Sequence, residues 1–527
     1  MKPEIPKYIL TDDSRALFSK LNGGEDIIED RVFNQAASKY FAIINQQIEQ
    51  AFDGPLKIVG ETERRIESRL QSRVRSILKS DQNVVCICLD RFLFADFDKD
   101  QTFADRFFRF STCRTIDGRK EPRQGNPSFA DQIQNLLRSI PDIRNRKVVV
   151  VDDGLFSGGT INDFLMLLKS NGIEINLEKI IGYMGPRSVM KASDRKTEIL
   201  QPIDNLFEWV DVRDFSPLGG KKLNASANNM VTTSIPYLYP WSEGSAATLD
   251  MSPAFFDTSI AIMKGFRQLV VTYELLRNTK LRFRDLIKAG YPLPTDKEKT
   301  VPISINDTVT DYLDRCIGLV EQEKNRKVVI CDMDGTFYQL DGKGGGYQNS
   351  KLELAVQTNA LLFIQRREKC TPDQAQLIFS RAQQDPVGAS LFLAEKYGIS
   401  RTDYFNEVWN IDPAGIVVNY EVATGSLCQF KGKYPGVKLV LLTSAPRVWA
   451  EKVLKFLGIR EQFELIYTGE QFGSKTEVFA LLAGRYKPEN MLSIGDQQAT
   501  DIEPAQQLGM STLVINSPDE VSRILQL

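Results

Sequence analysis

The sequence contains no histidine in 527 residues. That absence removes Ser-His-Asp and Cys-His catalysis, His-ligated zinc and imidazole-based pH switching. Acid–base work near neutral pH falls to carboxylates, lysine, tyrosine, or bound metal and phosphate. A chain of this kind that does chemistry is expected to use aspartate with Mg2+. Neither sign of charge prevails: 66 Lys+Arg against 68 Asp+Glu give a formal net charge of −2. Bulk electrostatic capture of nucleic acid is therefore not favoured. No apolar run approaches the ~20 residues needed to cross a bilayer. The first fifteen residues, MKPEIPKYILTDDSR, place charges where a signal peptide needs its apolar core. The expectation is a cytoplasmic protein with no membrane partner. None of the seven cysteines (Cys86, Cys88, Cys113, Cys316, Cys331, Cys370, Cys428) lies in a C-x-x-C pair. They read as free thiols in a reducing compartment, with Cys86 and Cys88 on one face of a strand.

Length and periodicity suggest several domains. Residues 1–80 read as a helical N-terminal extension. Residues 31–51 place Val32, Phe33, Ala36, Tyr40, Ile43, Ile44 and Ile48 at helical spacing, and residues 61–79 place Ile66, Leu70, Val74, Ile77 and Leu78 on one stripe opposite an Arg-rich face. From 81 to 250, apolar runs at 84–89, 107–113, 147–153 and 179–185 alternate with helical stretches at 129–139 and 161–171. That order predicts an α/β domain with a mainly parallel sheet. Residues 188–250 are less regular. Residues 251–325 read as a helical connector (252–289) and a linker (291–302). A second α/β domain covers 326–527. GKGGG at 342–346 is a loop without the Lys-Ser/Thr ending of a phosphate-binding P-loop.

In the second α/β domain, KVVIC (327–331) runs into Asp332-Met333-Asp334-Gly335-Thr336. Side chains two apart on extended chain share a face, so both carboxylates are predicted at the strand's carboxyl end, where open α/β sheets bind ligands. A second strand, 438–444, ends in Thr443 and Ser444. A helix opens at Lys475. A fourth strand, 490–496, delivers Asp496, and Asp501 follows. This ordered set resembles the haloacid dehalogenase-like (HAD) phosphohydrolase superfamily. The resemblance implies that Asp332 is a nucleophile forming an aspartyl-phosphate and Asp334 a general acid/base. It implies that Thr443 and Lys475 act on the transferring phosphoryl group. Mg2+ would be held around Asp332, Asp334, Asp496 and Asp501. The 106 residues between Thr336 and Thr443 resemble the helical cap of the family, about 345–435. Residues 441–470 look similar to pyrimidine 5′-nucleotidase-like members, although Ser444 stands where many relatives carry Asn.

In the first α/β domain, KVVVV (147–151) ends in Asp152 and Asp153, followed by Ser157-Gly158-Gly159-Thr160 at the start of a helix. A Gly-rich turn at a helix N-terminus presents N–H groups to an anion. This run resembles the phosphoribosyl pyrophosphate (PRPP) loop of type I phosphoribosyltransferases, with Ser157 in place of the usual first Thr. The resemblance implies that Asp152 and Asp153 meet ribose hydroxyls and that Ser157, Gly158, Gly159 and Thr160 hold the 5′-phosphate. Arg91 would face pyrophosphate. Arg114, Arg119, Lys120 and Arg123 lie in a stretch similar to the flexible catalytic loop. Tyr237, Tyr239 or Trp241 could stack an acceptor base or serve as plain core.

The expected fold class is α/β, with two Rossmann-like parallel-sheet domains: a phosphoribosyltransferase-like one and a HAD-like one with a helical cap. The expected function is a bifunctional enzyme of nucleotide metabolism, combining PRPP-dependent phosphoribosyl transfer with Mg2+-dependent phosphomonoester hydrolysis. Two other classes fit the same residues. One is a PRPP- or nucleotide-sensing module controlling a phosphatase. The other is a partner-binding toxin or defence-system component, bound through its helical segments. Expected ligands are PRPP, a nucleotide or a sugar phosphate. A homo-oligomer or protein partner is compatible with the helices.

Overall fold

The computed structural model describes residues 5–526 apart from 22–26, 53, 90–93, 95–96, 98–100, 104, 116–119, 123–125, 157, 193–196, 224–232, 242–248, 250–251, 296–300 and 386–387. The chain forms two compact units, residues 1–321 and 322–527.

The first unit is built on a five-stranded sheet, all parallel, in the spatial order Phe107–Arg109, Val84–Cys88, Lys147–Gly154, Asn176–Pro186, Thr197–Ile203. The strand Val84–Cys88 shows why its sequence is continuously apolar. Val84, Cys86 and Cys88 pack with Ile66, Leu70, Val74 and Leu78 of the helix Glu63–Ser80. Val85 and Ile87 face the other way, onto Ile133, Leu136, Phe164 and Leu168 of the helices Phe129–Ser139 and Gly159–Ser170. A strand covered on both faces needs no polar alternation. No disulfide joins any of the seven cysteines.

Residues 1–80 hold two strands beside the helices, which the helical reading of that stretch leaves out. Lys7–Asp12 pairs in parallel with Lys57–Thr62 on one side and Leu206–Asp211 on the other, forming a separate three-stranded sheet. Its partner strand lies about two hundred residues away in sequence, so no local pattern could declare it. The helices Arg31–Ala51 and Phe255–Arg277 pack closely at Gly265, where an added Cβ would lie 3.0 Å from Ile43 and 3.2 Å from Tyr40. The first begins at Asp30, whose carboxylate accepts from the N–H groups of Val32 and Phe33 at 2.7 and 3.1 Å.

The second unit has its own parallel five-stranded sheet, ordered Leu465–Thr468, Lys438–Thr443, Val328–Cys331, Met491–Gly495, Ser511–Val514. Every residue of Lys438–Thr443 is buried. Four helices (Lys351–Glu368, Pro372–Gln384, Ala389–Tyr397, Arg401–Val408) are inserted after the first strand. The chain leaves and re-enters this insertion through the short antiparallel pair Gln339–Leu340 and Val417–Val418.

Candidate functional site

Val328–Cys331 is the central strand of the second unit, flanked by Lys438–Thr443 and Met491–Gly495. Three carboxyl ends therefore converge on one spot, and each delivers chemistry there. Asp332 follows the central strand and is 5% exposed. Lys475, first residue of the helix Lys475–Arg485, extends its ammonium between two carboxylates. Its Nζ donates to Asp332 Oδ1 at 2.5 Å and to Asp501 Oδ1 at 2.7 Å. Burial would depress the Lys475 pKa, but Asp332 and Asp501 outweigh it and hold it above the ordinary value. Burial pushes Asp332 well up, and repulsion from Asp501 and Asp334 adds to it against the pull of Lys475.

Asp334 lies in different surroundings. The regular strand stops at Cys331, and Gly335 turns the chain at φ +81°. Asp334 stands directly before that turn. Its Oδ2 accepts from Thr443 Oγ1 at 3.2 Å, and its Oδ1 accepts from the Tyr338 phenol. Trp449 Nε1 in turn donates to Tyr338 at 3.3 Å. Burial raises the Asp334 pKa, while the bonds from Tyr338 and Thr443 pull it back.

The residues present fit a hard divalent cation. Asp332, Asp496 and Asp501 can each offer an oxygen, all within 4.8 Å of one another. Asp496 Oδ1 is buried without a hydrogen-bond partner. Burial, then repulsion from Asp501, raises the Asp496 pKa. An all-carboxylate oxygen set suits Mg2+. Glycines make the cluster possible: a Cβ on Gly335 would meet Asp496 Oδ2 at 2.3 Å, and one on Gly495 would meet Asp501 at 2.4 Å. The Asp334 carboxylate, expected in the metal set, stands apart from this trio with Tyr338 and Thr443. A cavity of about 480 Å3 opens from Asp334 and Asp496 toward Tyr347, Phe405 and Trp409 of the insertion.

In the first unit, Lys147–Gly154 delivers Asp152 (8% exposed) and Asp153 just before the turn. Each carboxylate folds back on the main chain: Asp152 Oδ1 accepts from the Asp153 N–H at 3.1 Å, and Asp153 Oδ1 from the Gly154 N–H at 2.7 Å. Gly158 caps the helix Gly159–Ser170 at φ +71°, with nothing within 4 Å of where a Cβ would stand. Among the described residues, no side chain caps that helix. Lys120 Nζ donates to Thr160 Oγ1 at 3.1 Å and lies 3.6 Å from Asp163, so one basic residue of the polar stretch does reach the turn. Gly154 packs under Trp209, where a Cβ would come within 2.4 Å of Cζ3.

Arg91, Ser157, Arg119 and Arg123 lie outside the described residues. Arg114 sits on the short strand Cys113–Arg114, paired with Lys120–Glu121; its side chain is outside the description. Among the candidates for base stacking, Trp241 is core: it is 1% exposed, donates to the Tyr312 hydroxyl at 2.8 Å and stacks on that ring at 6.1 Å. Tyr239 packs on Phe256 at 4.9 Å.

The residues that sequence reasoning missed are Tyr338, Trp449, Tyr347 and Trp409. Tyr338 had a signal, its position four residues after Asp334. The others are brought to the site only by tertiary folding.

A family model for haloacid dehalogenase-like hydrolase matches residues 326–509. A family model for phosphoribosyl transferase domain matches residues 101–209. No curated protein matches the chain. Solved structures are similar to part of the chain. YfnB from Bacillus subtilis, described as a HAD-hydrolase bound to magnesium, is 20% identical, covering 39% of this chain and 100% of its own, with a TM-score of 0.24. A 2-haloacid dehalogenase from Pseudomonas syringae is 16% identical over 38% of this chain and 98% of its own, with a TM-score of 0.27. A HAD family enzyme from Bacteroides thetaiotaomicron, in complex with magnesium and inorganic phosphate, is 17% identical over 38% and 99%, with a TM-score of 0.25. Among the described residues, no helix is long and apolar enough to cross a membrane.

Proposed function

The chain joins a phosphoribosyltransferase domain to a haloacid dehalogenase-like hydrolase domain, and from that premise we propose a bifunctional enzyme of nucleotide metabolism. One site transfers a phosphoribosyl group from PRPP, and the other hydrolyses a phosphomonoester. The observation that carries the second activity is the separation of two carboxylates into unlike environments. Asp332 is paired with a lysine, and Asp334 is held by a tyrosine and a threonine. Unlike environments divide nucleophile from acid/base.

In this reading Asp332 attacks phosphorus and becomes an aspartyl-phosphate. Asp334 protonates the departing oxygen, then takes a proton from the water that releases phosphate. Lys475 offsets the charge of Asp332 and the phosphoryl oxygens, and Thr443 positions Asp334. Asp332, Asp496 and Asp501 would hold Mg2+, which supplies positive charge against the phosphoryl oxygens.

In the first unit, Asp152 and Asp153 would exchange their main-chain bonds for ribose hydroxyls. The turn from Gly158 to Thr160 would take the 5′-phosphate, with Lys120 beside it. The test is incubation of the full chain with PRPP, Mg2+ and a panel of bases, following pyrophosphate. Base-dependent pyrophosphate release supports the transferase; PRPP binding without release marks the unit as a sensor. Phosphate release from nucleoside monophosphates, lost in Asp332→Asn, supports the hydrolase.

A further inference from the structure

We infer that the hydrolase site selects monophosphate esters whose leaving alcohol carries a flat, uncharged aromatic ring system, with Tyr347 and Trp409 as its selecting surface. The inference rests on the phosphatase reading above and names its substrate class.

Four observations carry it. First, the cavity is continuous with the chemistry: Asp334 and Asp496 form one part of its wall, and Tyr347, Phe405 and Trp409 another. A phosphate at the carboxylates therefore places its ester group against aromatic surface. Second, Tyr347 and Trp409 present a ready platform. Their centroids are 6.1 Å apart and their planes only 18° from parallel. Tyr347 remains 38% exposed, so a large ring is left in water at the mouth of the site. Third, among the described lining residues there is no lysine or arginine; the other polar ones are the neutral Gln339, Ser444, Gln497 and Asn516. A second phosphate would be stripped of water with no countercharge, which is costly. Fourth, Gln339 and Gln497 keep their side-chain oxygens occupied by Asn419 (2.7 Å) and Thr500 (3.1 Å). Their amide N–H groups are thus the donors left to meet carbonyl or ring-nitrogen acceptors.

The GKGGG run has a role in this. Gly344 and Gly345 adopt φ +68° and +78°, and a Cβ on Gly345 would come within 3.0 Å of Gln339. Only glycine lets this loop curl over Gln339 and present Tyr347. Nucleoside monophosphates satisfy all four conditions. Hexose phosphates lack the ring, and nucleoside diphosphates carry the extra charge.

The experiment compares phosphate release from nucleoside 5′-monophosphates, a hexose 6-phosphate and a nucleoside 5′-diphosphate, using the full chain with Mg2+. The expected result is a kcat/KM for the monophosphates at least about tenfold above the other two. Trp409→Ala should raise KM for the monophosphate on the order of tenfold with a smaller change in kcat, and Trp409→Phe should restore it. Tyr347→Ala, at an exposed position, should act in the same direction without threatening the fold. Equal kcat/KM across the three esters, a preference for the diphosphate, or variants that keep the preference intact would overturn the inference alone. No release from any ester, or release unaffected by Asp332→Asn, would overturn the phosphatase reading and the inference with it.

Discussion

Tyr338 donates its phenolic O–H to Asp334 while accepting from the indole N–H of Trp449 at 3.3 Å. Both rings are fully buried. The pair fixes one oxygen of the candidate acid/base, and Thr443 fixes the other. Removing the phenol by Tyr338→Phe leaves the ring packed but frees that oxygen. Losing one hydrogen bond to a charged group costs about 1.5–3 kcal/mol, so kcat should fall about tenfold or more while KM changes little. Steady-state kinetics on a nucleoside monophosphate check the split; a purely structural tyrosine would lower stability and leave kcat per folded molecule intact.

Gly335 joins the two acids to the third strand's end. Its φ of +81° and the 2.3 Å approach of Asp496 Oδ2 to a would-be Cβ leave room for glycine alone. Gly335→Ala should destabilise the second unit by about 1 kcal/mol or more and displace Asp496. Thermal unfolding with and without Mg2+ reads both effects: a lower Tm, and a smaller Mg2+-dependent rise than in the wild type.

Lys120 reaches the phosphate-type turn of the first unit through Thr160. Lys120→Met should weaken PRPP binding about tenfold, the loss of one charge-assisted contact. Isothermal titration with PRPP measures it, and an unchanged Kd would remove Lys120 from the site.

Glu198 gives a pH signature of folding. Arg73 binds it at 2.7 and 2.8 Å, and Lys179 at 2.9 Å. The Arg73 bond, helped by Lys179, holds the Glu198 carboxyl below the usual range against the opposing effect of burial. A depressed folded-state pKa adds stability above the unfolded value, and that stability is lost as pH falls through the folded value. Glu198→Gln should therefore cost up to about 1 kcal/mol at neutral pH, the pair being partly screened by solvent, and the two proteins should converge only at a pH below the depressed folded value, itself under the unfolded value of about 4.3. Denaturant unfolding at both pH values checks this.

What was legible in the sequence was local. Three of the four HAD-type motifs are short apolar strands running directly into their functional residues, so Asp332, Thr443 and Asp496 announce themselves within a few positions. The same holds for Asp152 and the turn at Gly158. What was hidden depends on distant pairing. Lys7–Asp12 becomes a strand because Leu206–Asp211 lies beside it, and its six residues carry no alternation strong enough to say so. Tyr347 and Trp409 are separated by the four inserted helices and meet only when those helices pack. The resemblance put Asp334 in the metal set, whereas the carboxylates whose oxygens lie within 4.8 Å of one another are those of Asp332, Asp496 and Asp501.

The central claim is that Asp332 is the group that attacks phosphorus. Its most direct test is phosphate release from a nucleoside monophosphate by Asp332→Asn, a change that keeps the side chain's size. The account predicts a drop in kcat on the order of 10⁴-fold with the fold intact; a rate within tenfold of wild type would contradict it.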